Sequence, residues 1–380
     1  MTIYTVTFAI EKHKIHCELN VLCIKYKEIQ VLIGDESMKA ISFSNVQESI
    51  RYIEGKKEKS FVLFSSDEKV KDLALEVSEN VVLCSTAGEY TSKGYSKGVI
   101  SGFEYETDIA KVVEILDPPI KSMRNLKAEY KKIENNKNAF ILLLCDGLTG
   151  REETILTTLY FVKDDFKIIG GSAGDDLKFI ETYIYIGKKR VHSVALLFNI
   201  KERTHIVKEN IFVPSGKRLL ITEADTINRT VKSFNNKPAS TEYARIIGVK
   251  ESELEKYFMN NPLGKIYKDD IYIASPMKIN KDKSITFYCQ ILSNTFVQVL
   301  EPIDATNQVK TTVESLPFKP NFVFVINCIL RSIKFEQENM WKQIDNEILK
   351  ISDNTTGFIS YGEQFYKMHA NQTMVMLIIE

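Results

Sequence analysis

The sequence predicts a mixed α+β protein in two domains, each with a mixed or largely antiparallel sheet packed by helices. Three observations carry that expectation. A chain of 380 residues is longer than one hydrophobic core ordinarily serves. Short apolar runs alternate with amphipathic stretches through the first half, as strands and helices do when they take turns. Beyond Asp176 the pattern changes to paired apolar runs bounded by turn residues, which is hairpin patterning. The boundary is expected near residues 218–230, after Pro214-Ser215-Gly216, giving domains 1–217 and 218–380.

Taken in order, residues 29–33 predict a strand and 45–53 a helix. Residues 60–64 form the next strand, and Ser66-Asp67 cap a helix over 68–78. The strand at 81–84 ends in Ser85-Thr86-Ala87-Gly88-Glu89. Strands at 99–105 and 112–116 follow, the second stopped by Asp117-Pro118-Pro119, and a polar helix spans 122–134. Residues 140–144 are apolar without interruption, as in a strand buried on both faces. Asp146, Gly147 and Gly150 break that run with turn chemistry. Ile155, Leu156, Leu159 and Val162 then share one face of a helix over 154–162. A short strand at 167–169 runs into Gly170-Gly171-Ser172-Ala173-Gly174-Asp175-Asp176, residues too small and polar to build a core. A hairpin is expected from 179–186 and 191–200, then a strand over 206–212.

The second half predicts helices over 238–247 and 251–258, the latter stopped by Asn260-Asn261-Pro262. A hairpin pairs 271–279 with 284–292, and 296–300 adds a strand. A helix over 304–316 ends at Pro317. The strand 322–329 is the most apolar of this half, a helix over 335–350 carries Trp341, and strands at 357–360 and 374–379 close the chain. No solenoid repeat of fixed period is visible.

Composition narrows function. Fifty basic and fifty acidic residues cancel and are mixed along the chain, so nothing points to nucleic acid or an acidic membrane surface. No apolar run approaches the roughly 20 residues that span a bilayer. The opening lacks a basic region before an apolar core, so no membrane insertion and a cytoplasmic location are expected. Cys84, Cys145, Cys289 and Cys328 lie in strand-like runs and read as buried free thiols. The Lys/Asn/Ile-rich composition fits an AT-rich bacterial genome.

Two motifs, CSTAGE at 84–89 and GGSAGD at 170–175, are strand-end turns of small residues closed by an acid. Neither is a phosphate loop, since no Lys-Ser or Lys-Thr follows the glycines, and neither has the three glycines of a dinucleotide fingerprint. Each is either a tight packing corner or a place where a ligand approaches backbone. Ser85, Thr86 and Ser172 are nucleophile types, but no histidine stands nearby, which disfavours a hydrolase. His13, His16, Cys17 and Cys23 do not have zinc-site spacing. His192 and His205 stand alone in hairpin-like segments and are expected to be satisfied locally. Near the C-terminus, Arg331 ends an apolar strand, Tyr361-Gly362-Glu363 ends another, and His369 and Asn371 open the last. Arginine offers a fork of donors to a carboxylate, while Glu, Asn and Tyr hold an ammonium or hydroxyl. The set suits a small zwitterion such as an amino acid; the alternative is an internal Arg331–Glu363 salt bridge.

The segments CSTAGE, CDGLTGREETIL, GGSAGDD, CILR, GFISYGEQF and HANQT, in that order, resemble the FIST family (F-box and intracellular signal transduction proteins) over nearly the whole chain. The resemblance implies N- and C-terminal FIST domains and a sensory module that binds a small ligand, with amino acids suggested. It places the family pattern on Ser85, Thr86, Gly88, Gly170, Gly171, Ser172, Asp175, Cys328, Arg331, Tyr361, Gly362, Glu363, His369 and Asn371. Bacterial members are joined to kinases, chemoreceptors or cyclic-dinucleotide enzymes. Here the two FIST-like halves fill the sequence and no F-box segment is seen, so a separate signalling partner is expected. Some members resemble haem-binding gas sensors. A nitric oxide sensor with His369 as axial ligand, Cys328 being the weaker candidate, is therefore the alternative to a cofactor-free, metal-free, non-enzymatic sensor. In the leading expectation Arg331 and Glu363 supply the charged contacts and the 170–175 turn brings backbone amides close.

Overall fold

The computed structural model describes residues 37–267 and 270–380. The strand expected over 29–33 and the residues His13, His16, Cys17 and Cys23 lie outside them.

Three long apolar strands, Lys59–Ser65, Phe140–Cys145 and Phe322–Cys328, are the centres of three sheets with one common plan. Each such first strand is followed by helix and then by a second strand, Val81–Ser85, Ile168–Ser172 or Thr355–Ser360, which pairs with it in parallel. A parallel partner needs a crossover, and here the helix supplies it. On the other side of the first strand lies an antiparallel return strand, Ile100–Glu106, Ser193–Phe198 or Thr373–Ile379. Beyond that is an edge strand, Met38–Phe43, Ala110–Glu114 or Thr204–Asn210. Among the described residues there are thus three repeats, over 38–106, 110–198 and 204–379.

No repeat completes its own sheet. The hairpin after the second strand of repeat 1, Glu89–Thr91 with Gly94–Ser96, pairs with the second strand of repeat 3. The repeat 3 hairpin, Glu363–Phe365 with Met368–Ala370, pairs with repeat 2. The repeat 2 hairpin, Ile184–Ile186 with Lys189–Val191, pairs with repeat 1. The exchange is cyclic.

The first strands read as continuous apolar runs because both faces are buried. Inner faces of all three sheets share one core, where Phe64 and Phe358 stack at 4.5 Å and Phe103 meets Phe324 edge-on at 5.4 Å. Outer faces are covered by each repeat's own helices: Val46–Glu54 and Asp67–Glu76 in repeat 1, Met123–Lys131 and Glu152–Val162 in repeat 2, and Ala305–Glu314, Ile329–Gln337 and Trp341–Ile348 in repeat 3.

Repeat 3 is interrupted between its edge strand and its first helix. The insert, residues 212–302, forms a fourth, antiparallel sheet with the helix Ala239–Ile247 and a separate core around Leu219, Phe234, Tyr243 and Phe287. The α+β class therefore holds, with mixed sheets in the repeats and an antiparallel sheet in the insert. Residues 217 and 218 are consecutive in one insert strand, Phe212–Asp225.

Three local differences from the sequence reading have identifiable causes. The helix expected over 335–350 is two helices, because the chain turns at Asn339 with φ +54°. The strand expected from 179 begins only at Ile184, because residues 179–181 donate their backbone N–H groups to Asp175. Residues 251–257 form a 3₁₀ helix.

Gly171, in the second strand of repeat 2, marks where sheets 2 and 3 touch: a Cβ there would lie 2.5 Å from Phe358 Cζ and 2.8 Å from Ile326 Cγ2. Gly171→Ala should cost about 1–3 kcal/mol of stability by overpacking, read as a lowered denaturant midpoint. Adding Phe358→Leu should recover part of that loss; an alanine variant as stable as wild type would show that the contact is not tight.

Candidate functional site

The second strands of all three repeats end in the turns singled out by sequence, and these turns are knitted together. Gly174 N donates to Ser85 O at 2.9 Å, Tyr361 N to Ser172 O at 3.0 Å, and Ala87 N to Ile359 O at 3.1 Å. CSTAGE, GGSAGD and SYGE therefore meet at one end of the repeat body.

The acids of two of these turns fasten backbone that follows them, and the third is held within its own turn. Asp175 accepts from the N–H groups of Phe179, Ile180 and Glu181 at 2.7–3.1 Å, and from the Tyr361 hydroxyl. Burial opposes its charge, but these donors hold its pKa below the ordinary aspartate value. Glu363 accepts from Ser360 Oγ at 2.6 Å and from Thr373 N and Oγ1 at 3.2 and 2.8 Å. Glu89 accepts from Thr86 Oγ1 at 2.9 Å. Burial pushes Glu89 and Glu363 each up to about 7 against these bonds.

Beside this end lies a cleft of ≈ 290 Å³. Repeat 2 contributes the 147–150 turn, Glu152, Leu177 and Phe179; repeat 3 contributes Ile329, Leu330 and Tyr361; the insert adds residues 227–229, Met277 and 286–288. Glycine is needed at 147, where a Cβ would stand 2.1 Å from Ala173 O. The 177–179 wall is strained: Asp176, Leu177 and Phe179 have φ of +52°, +64° and +51°. It is held by Asp175 and by the Tyr361 hydroxyl, which accepts from Leu177 N at 2.6 Å.

A charged cluster meets the cleft at Arg229. Its Nη2 bonds Glu152 Oε2 at 2.6 Å and Glu153 Oε2 at 2.7 Å, and Nη1 donates to Tyr288 O at 2.6 Å. Its Nε is buried with no partner. Burial works against the guanidinium charge, but the two glutamates outweigh it and the pKa is raised. Behind Glu152 runs a buried polar chain. Ser172 Oγ donates to Glu152 Oε1 at 2.9 Å, Gln364 Nε2 lies 3.1 Å from Ser172 Oγ, and His369 Nδ1 lies 3.2 Å from Gln364 Nε2.

Of the residues singled out by sequence, Tyr361 lines the cleft, and Ser172 and Asp175 support it from beneath. Ser85 accepts from Tyr183 N at 2.8 Å, Thr86 bonds Glu89, and Gly88, Gly170 and Gly171 pack closely against neighbouring atoms. Among the described residues no histidine bonds the hydroxyl of Ser85 or Ser172, so no Ser–His unit is assembled. Arg331 and Glu363 are fully buried and do not line the cleft. The Arg331–Glu363 ion pair weighed above is not formed: Arg331 pairs with Glu209, whose pKa burial raises while Arg331 pulls it down. Cys328 is buried, which pushes its thiol well above the usual range. Asn371 Oδ1 takes a long 3.5 Å bond from Ser275 N, and its Nδ2 has no partner.

His369 Nε2 is also without a partner, and burial lowers the imidazole pKa. The Gly362 backbone nevertheless stands against the ring: a Cβ on Gly362 would lie 2.4 Å from Cε1 and 2.9 Å from Nε2. The ring is buried and closed in by this backbone, surroundings that do not fit a haem. No group of three or more His, Cys, Asp or Glu placed to hold a metal occurs among the described residues. Among the same residues, no helix is long and apolar enough to cross a membrane.

The sequence reading did not single out Arg229, Glu152 or Glu153. Glu152 and Glu153 follow the glycine turn within CDGLTGREETIL, which was the available signal; Arg229 lies in a polar turn with none. Family comparison matches a FIST N domain to residues 61–237 and a FIST C domain to residues 239–366. A search of curated proteins finds no match.

Glu363 gives a pH test of the fastening role. Its folded pKa of about 7 lies above the unfolded value of 4.5. Its contribution is fully present below pH 4.5, where both states are protonated, and is lost as pH rises through 7. Glu363→Gln should therefore gain stability relative to wild type between pH 5 and pH 8, measured by denaturant unfolding at each pH. A difference that does not change with pH would remove the raised pKa from the account.

Proposed function

The chain belongs to the FIST family of signal-transduction sensory domains, and on that premise we propose that it is a non-enzymatic sensor whose cleft binds a small zwitterion with an apolar body, such as an amino acid. The observation that carries this reading is Arg229: a guanidinium at the cleft with one donor, Nε, buried and unclaimed. A ligand carboxylate suits that donor, and the Glu152–Glu153 side of the cluster suits an ammonium. Leu148, Leu177, Phe179, Phe287 and Leu330 provide apolar contact for the rest. Pockets lined mainly by apolar groups with a few placed polar ones are the usual form of small-molecule sites. Support also comes from position, since the cleft lies at the carboxyl ends of the parallel strand pairs, where ligands of α/β sheets commonly bind.

The cleft is walled by both the repeat body and the insert, so a ligand touching both favours one arrangement of the two. That preference would be read by a separate signalling protein in the bacterial cytoplasm, such as a kinase or a cyclic-dinucleotide enzyme. Arg229 takes the role that the sequence suggested for Arg331.

A panel of amino acids and related amines in a thermal-unfolding assay tests the proposal. A true ligand at 100 times its Kd stabilises by about 2.7 kcal/mol. Arg229→Gln should lose that shift. Because this change also leaves buried Glu152 unpaired, Ile227→Asp, at a solvent-exposed position on the cleft rim, is the companion that should weaken binding without touching the ion cluster. No shift across the panel would sink the reading, and a Soret band in protein supplied with haem would replace it with the gas-sensor alternative.

A further inference from the structure

The 147–150 turn has a second side. There it borders a separate cleft of ≈ 250 Å³, and Thr149 lines both. We propose that this second cleft is a binding site for a small organic anion, held by His192 and Arg151 with its apolar part against Leu116, Pro119 and Ile155.

The imidazole is built into place. His192 Nδ1 lies 3.1 Å from Asp146 Oδ2, while Asp146 Oδ1 accepts from Thr182 Oγ1 at 2.7 Å and Leu148 N at 3.0 Å. The carboxylate is largely buried and occupied on both oxygens, whereas the ring it orients is 69% exposed. Fixing Nδ1 in this way leaves Nε2 as the free ring nitrogen. That nitrogen is the edge of the ring an anion in the cleft can meet. Arg151, in the same cleft, supplies the second cationic donor. Its own ion partner, Asp117, is 3.5 Å away and both are about half exposed, a pairing weak enough for a ligand to displace. Among other charges on adjoining strands and loops, Lys121 donates to Asp117 O, and Glu114 pairs with Lys189 and Glu181 with Arg190.

Phenyl sulfate, an anion that does not itself titrate near neutrality, is the probe. Calorimetry of the full chain at pH 7 should show saturable binding. His192→Gln should weaken binding at least about tenfold, the loss expected for one charge-assisted hydrogen bond. Arg151→Gln should weaken it similarly. Asp117→Asn should tighten it by removing the competing carboxylate. His192 and Arg151 are exposed, so these variants are expected to fold. Absence of binding overturns the proposal, as does a His192→Gln protein that binds equally well. Arg229→Gln should leave this binding intact, so failure here and failure of the first cleft are separate results.

Discussion

At the root of each exchanged hairpin, or of the loop that leads to it, sits a buried carboxylate, and two of the three are bonded to the backbone that follows them. Glu363 reaches Thr373, Asp175 reaches residues 179–181, and Glu89 is held by Thr86 within its own turn. Much of the rest depends on this arrangement. The hairpins complete sheets belonging to other repeats, the completed sheets enclose the phenylalanine core, and the turns bring their strand ends to one place. An unpaired carboxylate in such a position would be costly; bonded to backbone N–H groups, it specifies where the chain turns.

The site inherits its form from that frame. Tyr361, two residues before the acid of one turn, donates to the acid of another and accepts from Leu177, so one phenol ties repeat 3 to the cleft wall of repeat 2. The wall is held in left-handed backbone at residues that are not glycine, a state that persists only where surrounding bonds over-determine it. The insert contributes Arg229, and two glutamates of repeat 2 hold it. One guanidinium therefore links the insert to the body and also lines the cleft.

The fold class was legible because apolar runs such as 140–145 and 322–328 are buried on both faces and interrupt polar sequence sharply. The turn motifs were legible as special positions, and they do converge. Their role was not, because a glycine-rich turn ending in an acid looks the same whether it holds a ligand or the next strand. The threefold plan was not legible, and the insert that separates the edge strand of repeat 3 from its first helix hides it further. For the same reason Arg331 could not be matched with Glu209, which stands on the far side of the insert in sequence. Arg229 lay in a polar turn with no pattern to distinguish it from a solvated surface residue.

The hairpin exchange also bears on how the chain acquires its structure. Tyr90 pairs with Gly357 and Gln364 with Gly170, contacts between residues hundreds of positions apart. Loops of that length must close before sheets 2 and 3 are finished, which places the protein among slowly forming, high-contact-order topologies. During synthesis repeats 1 and 2 emerge first, with sheet 2 lacking its outer hairpin and exposing an unpaired edge to other chains. The N- and C-terminal family segments therefore meet within sheets 2 and 3, each of which draws strands from both.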